Sequence, residues 1–304
     1  MRTLKPLNHL FITLFILISS ISAIAQLDSA KIRIAQIENS LKYQTGVIDF
    51  SSCKAKLNVP EGFRFLDAEQ SRFVLSDLWG NPVDSSILGL LVPADRGVLE
   101  PNSWVFTLTF DAIGYVKDND AEDIDYEDLL KQMKKDFQDA NPEREKLGYQ
   151  PIEFIGWASN PYYDKEKKVL HWAKELKFGT DSMNTLNYNL RVLGKDGVFV
   201  LNAVATMREL NDVKPNIDKV LQSVDFEKGS TYSDFNPDID KVAAWTIGGL
   251  VAGKVLAKVG FFAVIAKFGK VIIVGLIAAG AAIWRFVSRR KKEEEIYDSS
   301  KSLE

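Results

Sequence analysis

Leu186-Asn187-Tyr188-Asn189-Leu190-Arg191-Val192-Leu193 is followed by Gly194-Lys195-Asp196-Gly197, and then by Val198-Phe199-Val200-Leu201-Asn202-Ala203-Val204-Ala205-Thr206. The first run alternates, with Leu186, Tyr188, Leu190 and Val192 on one side and Asn187, Asn189 and Arg191 on the other. A period of two marks a strand with one buried face, and Gly-Lys-Asp-Gly between two such runs reads as a hairpin turn. Strands joined by so few residues must be antiparallel.

Working outward, Val169–Phe178 and Ile152–Ala158 read as further strands, punctuated by Gly179-Thr180-Asp181 and Asn160-Pro161. Ser103–Phe110 alternates Trp104, Phe106, Leu108 and Phe110 against Val105, Thr107 and Thr109. Shorter strands are expected at Ile87–Val92, Lys54–Val59 and Gly46–Phe50, with Pro60-Glu61-Gly62 as a turn. Asp67, with Gln70 at the capping-box position, starts a helix that runs to Leu78 and stops at Gly80-Asn81-Pro82. Asp125 caps a second helix to about Ala140, with Tyr126, Leu129, Leu130, Met133 and Phe137 as its apolar stripe. Leu27, Ala30, Ile34, Ile37 and Leu41 form the seam of an N-terminal helix expected to dock on the domain. A short helix near Ile217–Ser223 and a polar linker over Tyr232–Asp240 close the unit. The expected class is α+β: an antiparallel sheet with helices packed on one side, followed by a membrane-associated helical C-terminal region.

The chain has 304 residues, of which 46% are hydrophobic and 26% charged, with one cysteine and two histidines. That composition excludes a disordered, collagenous or disulfide-stapled protein. Charge is sorted along the chain. Residues 26–241 hold 26 Lys+Arg against 36 Asp+Glu, a net of −10, whereas 242–292 hold nine basic residues and no acid. No nucleic-acid partner is expected of so acidic a domain.

Both ends point to a membrane. Arg2 and Lys5, the apolar Leu10–Ile18 and the small-x-small Ala23-Ile24-Ala25 read as a secretory signal peptide over 1–25. Val271–Trp284 is uncharged, and snorkelling by Lys270 and Arg285 extends it to a transmembrane helix over 268–288. Arg289-Arg290-Lys291-Lys292 then place the 289–304 tail in the cytoplasm by the positive-inside rule. Residues 26–241 form the extracytoplasmic domain. Residues 242–267 are apolar but carry Lys254 and Lys258 on one helical face, so an interfacial helix is cheaper than a second span, the alternative being a hairpin of two spans. The lipid bilayer is the expected partner. Gly249 with Gly253, and Gly275 with Ala279, would permit self-association or contact with envelope proteins through small-xxx-small faces.

Further stretches carry a family resemblance: Gly46-Val47-Ile48-Asp49, Leu57-Asn58-Val59-Pro60-Glu61-Gly62-Phe63, Asp77-Leu78-Trp79-Gly80-Asn81-Pro82 and Trp172-Ala173-Lys174-Glu175-Leu176-Lys177-Phe178. With Ile124–Leu130, Ala140–Arg144, Leu186–Gly194 and Leu201–Ala205, they make the chain resemble, from about Gln36 to Arg290, a bacterial family of uncharacterised membrane-anchored proteins, domain of unknown function 2167. The resemblance implies a cell-envelope protein of the bacterial inner membrane with a periplasmic domain. It brings no activity and no catalytic residues.

Candidate chemistry is sparse. Gly248-Gly249-Leu250-Val251-Ala252-Gly253-Lys254-Val255 imitates a phosphate-binding loop up to its lysine, but valine stands where Ser/Thr would hold Mg²⁺. Asp118, Asp120, Glu122, Asp123, Asp125, Glu127 and Asp128 begin like a calcium loop, yet Asp123 and Leu129 occupy the positions that need Gly and Glu. Beyond the expected signal peptide His171 is the one histidine, expected to face solvent on its strand. The lone Cys53 cannot form an internal disulfide. No hydrolase, dinucleotide or zinc spacing occurs, so neither catalytic residues nor a cofactor nor a metal is assigned. Asn187, Asn189 and Arg191 are the candidate ligand-binding residues, a ladder of amides and a guanidinium suited to carboxylate, phosphate or glycan groups on a wet, half-exposed sheet face. The functional expectation is a non-enzymatic, membrane-anchored binding or scaffold module. The alternative is a tethered carboxylate-dependent hydrolase or transferase acting on envelope glycans or peptides, and carboxylates converging near Asn187–Arg191 would favour it.

Overall fold

Residues 31–253 are described in the computed structural model of the protein. The expected signal peptide 1–25, the transmembrane helix 268–288, the tail 289–304 and the 254–267 part of the expected interfacial segment lie outside them. Among the described residues no helix is long and apolar enough to cross a membrane.

The class is α+β with antiparallel sheets. Residues 31–40 are helical (α1), followed by β1 (Val47–Phe50), β2 (Ala55–Asn58) and β3 (Phe63–Asp67). Then come α2 (Ala68–Arg72) running into a π-helical turn (Phe73–Leu78), β4 (Gly89–Pro93), β5 (Val105–Asp111) and α3 (Tyr126–Lys146). Four long strands follow: β6 (Ile152–Asp164), β7 (Val169–Phe178), β8 (Thr185–Leu193) and β9 (Val198–Thr206). The last elements are α4 (Leu210–Val213), α5 (Ile217–Leu221), β10 (Val224–Phe226) and α6 (Ile247–Ala252). Seven strands make one sheet in the order β3-β4-β5-β9-β8-β7-β6, with antiparallel pairing throughout. A second sheet, β1-β2-β10, has three strands, so the expectation of one sheet is corrected.

Helices cover both faces rather than one. On the back of the large sheet, Leu186, Tyr188, Leu190, Leu201, Phe199 and Phe106 pack against Leu57 of β2 and Val213, Ile217 and Val220 of α4 and α5. On the front, Leu66, Leu90, Val92 and Val105 pack against Val74 of the π-helical turn and Leu41. Further along the front, Phe137 of α3 lies 5.6 Å from the ring of Phe154 on β6. The reason is visible in β4, where all five residues are buried: Leu91 belongs to the back core and Leu90 to the front core. A strand covered on both sides loses alternation, and the sequence signal for a second layer goes with it. Gly89 has no room for a side chain, because a Cβ there would lie 2.2 Å from the Phe65 ring.

Two elements run through prolines. α3 continues past Pro142 to Lys146. Pro142 is exposed, so the Gln138 carbonyl that it cannot bond is open to water. Asn141 ties this end of the helix to β6, donating to Ile152 O (3.0 Å) and accepting from Ile152 N (2.8 Å). Asn160-Pro161 is not a turn but lies inside β6, where the pairing with β7 shifts between Ser159 and Tyr162. An edge strand with a bulge is where a sheet accepts proline. The N-terminal seam docks only in part, since Leu41 is buried whereas Ile34 is 43% exposed.

The folded unit extends beyond Lys241. Tyr115 is sandwiched between Tyr232 (4.4 Å) and Phe235 (3.8 Å), and Tyr232 donates to Val116 O, so the expected linker is packed structure. Tyr115 N donates to Lys241 O, and Ala243 N donates to Tyr115 O. Thr246 caps α6, whose Ile247, Leu250 and Val251 are buried. Residues 242–253, expected to begin an interfacial segment, thus pack as part of the domain. A chain ending at Lys241 should therefore melt several degrees below one ending at Gly253, and equal melting temperatures would place α6 outside the core.

Candidate functional site

Register on the front face defines the site. Trp172 of β7 stands opposite Asn189 of β8, and Asn189 opposite Asn202 of β9, which faces Thr107 of β5. One step along, Lys174 is opposite Asn187, and Trp157 of β6 is opposite Lys174. One step the other way stands Arg191. The Asn187–Asn189–Arg191 ladder thus shares one face, as alternation requires.

That face is not wet at its centre. Asn189 is 2% exposed and donates through Nδ2 to Asn187 O (2.8 Å) and Asn187 Oδ1 (3.0 Å). Arg191 donates through Nη1 to Asn202 Oδ1 (2.9 Å) and Leu190 O (3.0 Å), and its Cζ sits 5.0 Å from the Trp172 ring centroid. Because Trp172 and Asn202 flank Asn189, the Arg191 side chain lies across Asn189 and covers it. Arg191 is therefore half-buried and structural as well as polar. Removing it would strip the Asn202 carbonyl of a charged donor, a loss of about 1–3 kcal/mol.

Lys174 and Trp172 are the site residues that sequence reasoning missed. Lys174 Nζ makes no hydrogen bond or ion pair among the described residues; its contact is the Phe137 ring of α3, 6.0 Å to the centroid. Burial, reinforced by the charge of Arg191, holds the Lys174 ammonium down at about 8. Burial likewise brings Arg191 down to about 10, against the pull of Asp111. Asp111 is raised by its own burial, with Arg191 drawing it back down. The signal available in the sequence was the same alternation, which sets Trp172 and Lys174 beside the ladder once β7 pairs with β8. Past Thr107 and Val204 the face opens into a cleft of about 210 Å³, walled by Arg72, Leu75, Ser76 and Trp79. Trp79 also donates to Val98 O, and Asn81 to Leu75 O, so the Trp-Gly-Asn-Pro stretch both ends a helix and lines a cleft.

The other candidates serve the fold. His171 does not face solvent: it lies between Tyr162 (5.0 Å) and Tyr188 (6.4 Å), with Nδ1 3.3 Å from the Tyr188 hydroxyl, and burial lowers its pKa. The acidic stretch is dispersed. Asp118 accepts from Lys168 and Tyr163, Asp120 from Ile247 N and Gly248 N at the start of α6, Glu122 from Lys165, and Asp125 caps α3. Burial raises Asp118, but its Lys168 and Tyr163 hydrogen bonds outweigh that and hold it below the usual carboxylate range. Among the described residues no three His, Cys, Asp or Glu side chains are grouped to hold a metal ion. Gly248–Ala252 of the phosphate-loop mimic lie in α6, whose first amides are turned to Asp120.

The chain matches the family described as protein of unknown function (DUF2167) over residues 42–281, and it belongs to that family. Among curated proteins none matches. Among solved structures it is similar to the cyanobacterial PsbP (CyanoP) of Synechocystis sp. PCC 6803, at 10% identity and a TM-score of 0.34, covering 62% of this chain and 93% of that one. It is also similar to the Saccharomyces cerevisiae Ran-binding protein Mog1p, at 9% identity and 0.31, covering 65% and 100%. LpqN of Mycobacterium tuberculosis, involved in cell envelope biogenesis, is similar at 14% identity and 0.29, covering 63% and 95%.

The unpaired ammonium gives a pH signature. The folded Lys174 value of about 8 lies below the unfolded one of roughly 10.4. The unfolded chain therefore binds more protons in that window, and stability rises as pH climbs through it. Lys174→Met should abolish this rise and melt higher than wild type at pH 7. Thermal melts from pH 7 to 10 on both proteins measure the difference, and parallel profiles would mean the ammonium is compensated.

Proposed function

We propose that the protein is a bacterial membrane-anchored envelope protein whose folded domain lies outside the cytoplasm and acts as a binding or scaffold module. The observation that carries the binding reading is the composition of the front face. Lys174 and Arg191 sit among Asn187, Asn189, Asn202, Trp157 and Trp172, and Asp111 is the carboxylate that acts on Arg191. General acid–base hydrolysis of glycans draws on a pair of carboxyl groups across the scissile bond. A cation-bearing face with amides around it is better suited to holding an anion than to cleaving a bond. The tethered hydrolase is the weaker reading for that reason.

The anchored topology is supported by the charge sorting, −10 over 26–241 against nine basic and no acidic residues over 242–292, and by the signal-like first 25 residues.

Cys53 is the chain's one cysteine and is buried, so engineered thiols report position cleanly. Leu147 is 67% exposed at the end of α3. A membrane-impermeant maleimide should label Leu147→Cys in intact spheroplasts, and Ser299→Cys only after lysis. Labelling of Leu147→Cys that requires lysis would overturn the topology.

A further inference from the structure

The front face carries several hydrogen-bond donors without partners among the described residues. Trp172 is 1% exposed, and its indole N–H has no partner among the described residues; the buried indole N–H of Trp157 has none either. Buried polar groups in folded proteins are nearly always bonded, so two orphans on one face call for an explanation. Trp157 stands opposite Lys174, Lys174 stands opposite Asn187, and Trp172 is two residues from Lys174 on the same face. Arg191 uses Nη1 alone in its bonds, leaving Nε and Nη2 without partners among the described residues. The nearby side-chain carbonyls are already engaged, that of Asn187 by Asn189 and that of Asn202 by Arg191. One ammonium, one guanidinium edge and two indole N–H groups therefore lie on three adjacent strands without hydrogen-bond partners among the described residues, Asp111 acting on Arg191 through its charge alone.

The geometry points to a phosphate-binding site formed by Lys174, Arg191 and the indole N–H groups of Trp157 and Trp172. This rests on the reading of the domain as a binding module and names the chemistry of what it binds. A phosphate group offers several strong acceptor oxygens and up to two negative charges, which answers two cations and two neutral donors at once. Arg191 is held by Asn202 and Trp172, so its free edge is oriented before the ligand arrives and little rotamer freedom is lost on binding. Lys174 supplies a point charge, and among the described residues no acid forms an ion pair with it. An acidic domain that keeps a lysine desolvated and unpaired sacrifices stability at that residue, as a functional site would require.

The test uses the full chain in nanodiscs of zwitterionic lipid. Radiolabelled inorganic phosphate is titrated by equilibrium dialysis against sodium chloride of matched ionic strength, and melting is followed in parallel. Wild type should bind phosphate saturably and melt several degrees higher with it. Lys174→Met and Arg191→Lys should each weaken binding about tenfold or more. Without phosphate, Lys174→Met should melt no lower than wild type, which separates loss of the site from loss of the fold. In nanodiscs containing phosphatidate, competition with free phosphate would identify a lipid headgroup as the source of the group, and undiminished binding would identify a soluble phosphate. Absence of saturable binding to either probe, or full binding by Lys174→Met, overturns the inference. An exported domain that binds no phosphate sinks this proposal alone, whereas a phosphate-binding domain found in the cytoplasm sinks the topological reading alone.

Discussion

The register of β8 between β7 and β9 is the constraint on which the rest of the domain depends. Nine residues pair in antiparallel order with β9, from Thr185 with Thr206 to Leu193 with Val198. Strand side chains alternate, so a slip of one residue would send Leu190 to the front and Asn189 into the apolar back core. Leu186 and Leu190 are fully buried on that back face, and the slip would place amides and a guanidinium among them. The hydrophobic back layer thus sets the polar front layer. It brings Trp172, Asn189 and Asn202 into one row and lets Arg191 stretch across it.

The same logic accounts for the uneven distribution of charge. Most carboxylates of the acidic loop are committed to structure, and the division of labour is local: Asp125 to its own helix, Glu122 and Asp118 to lysines of the β6–β7 turn, Asp120 to α6. The half-buried ion pair Lys195–Asp240 and the Tyr115 stack draw residues 232–243 onto the body of the domain. Lys174 stands outside this pattern. Other lysines, such as Lys117, Lys134 and Lys214, also have no ion pair among the described residues; what sets Lys174 apart is the burial that holds its ammonium down at about 8.

Legibility in the sequence followed exposure. Val169–Phe178 and Val198–Thr206 were readable to the residue because each has a glycine turn at one end, at Gly179 and Gly197, and a strong apolar face. The Asp67 and Asp125 caps were equally plain, since capping is a local interaction. β3 is hard to read because Phe63–Asp67 has only five residues, and β10 because Val224–Phe226 pairs with β2 across more than 160 positions. Non-local pairing leaves no short-range trace. The candidate ladder at Asn187, Asn189 and Arg191 was legible as a face, but its burial was not, because what covers Asn189 is the ladder's own arginine. Lys174 and the two tryptophans enter only when β6, β7 and β8 are laid side by side.

Strand β6 closes the large sheet on one side with three shifts of register and a proline at position 161. An open sheet edge is a template on which another copy of the chain could add a strand. Bulges twist the row of amides out of line, and proline removes one of them altogether. A regular β6 would turn each domain into a seed for the next. The irregularity that makes this strand hard to read in the sequence is thus a safeguard against polymerisation, built into the outermost strand of the sheet that holds the site.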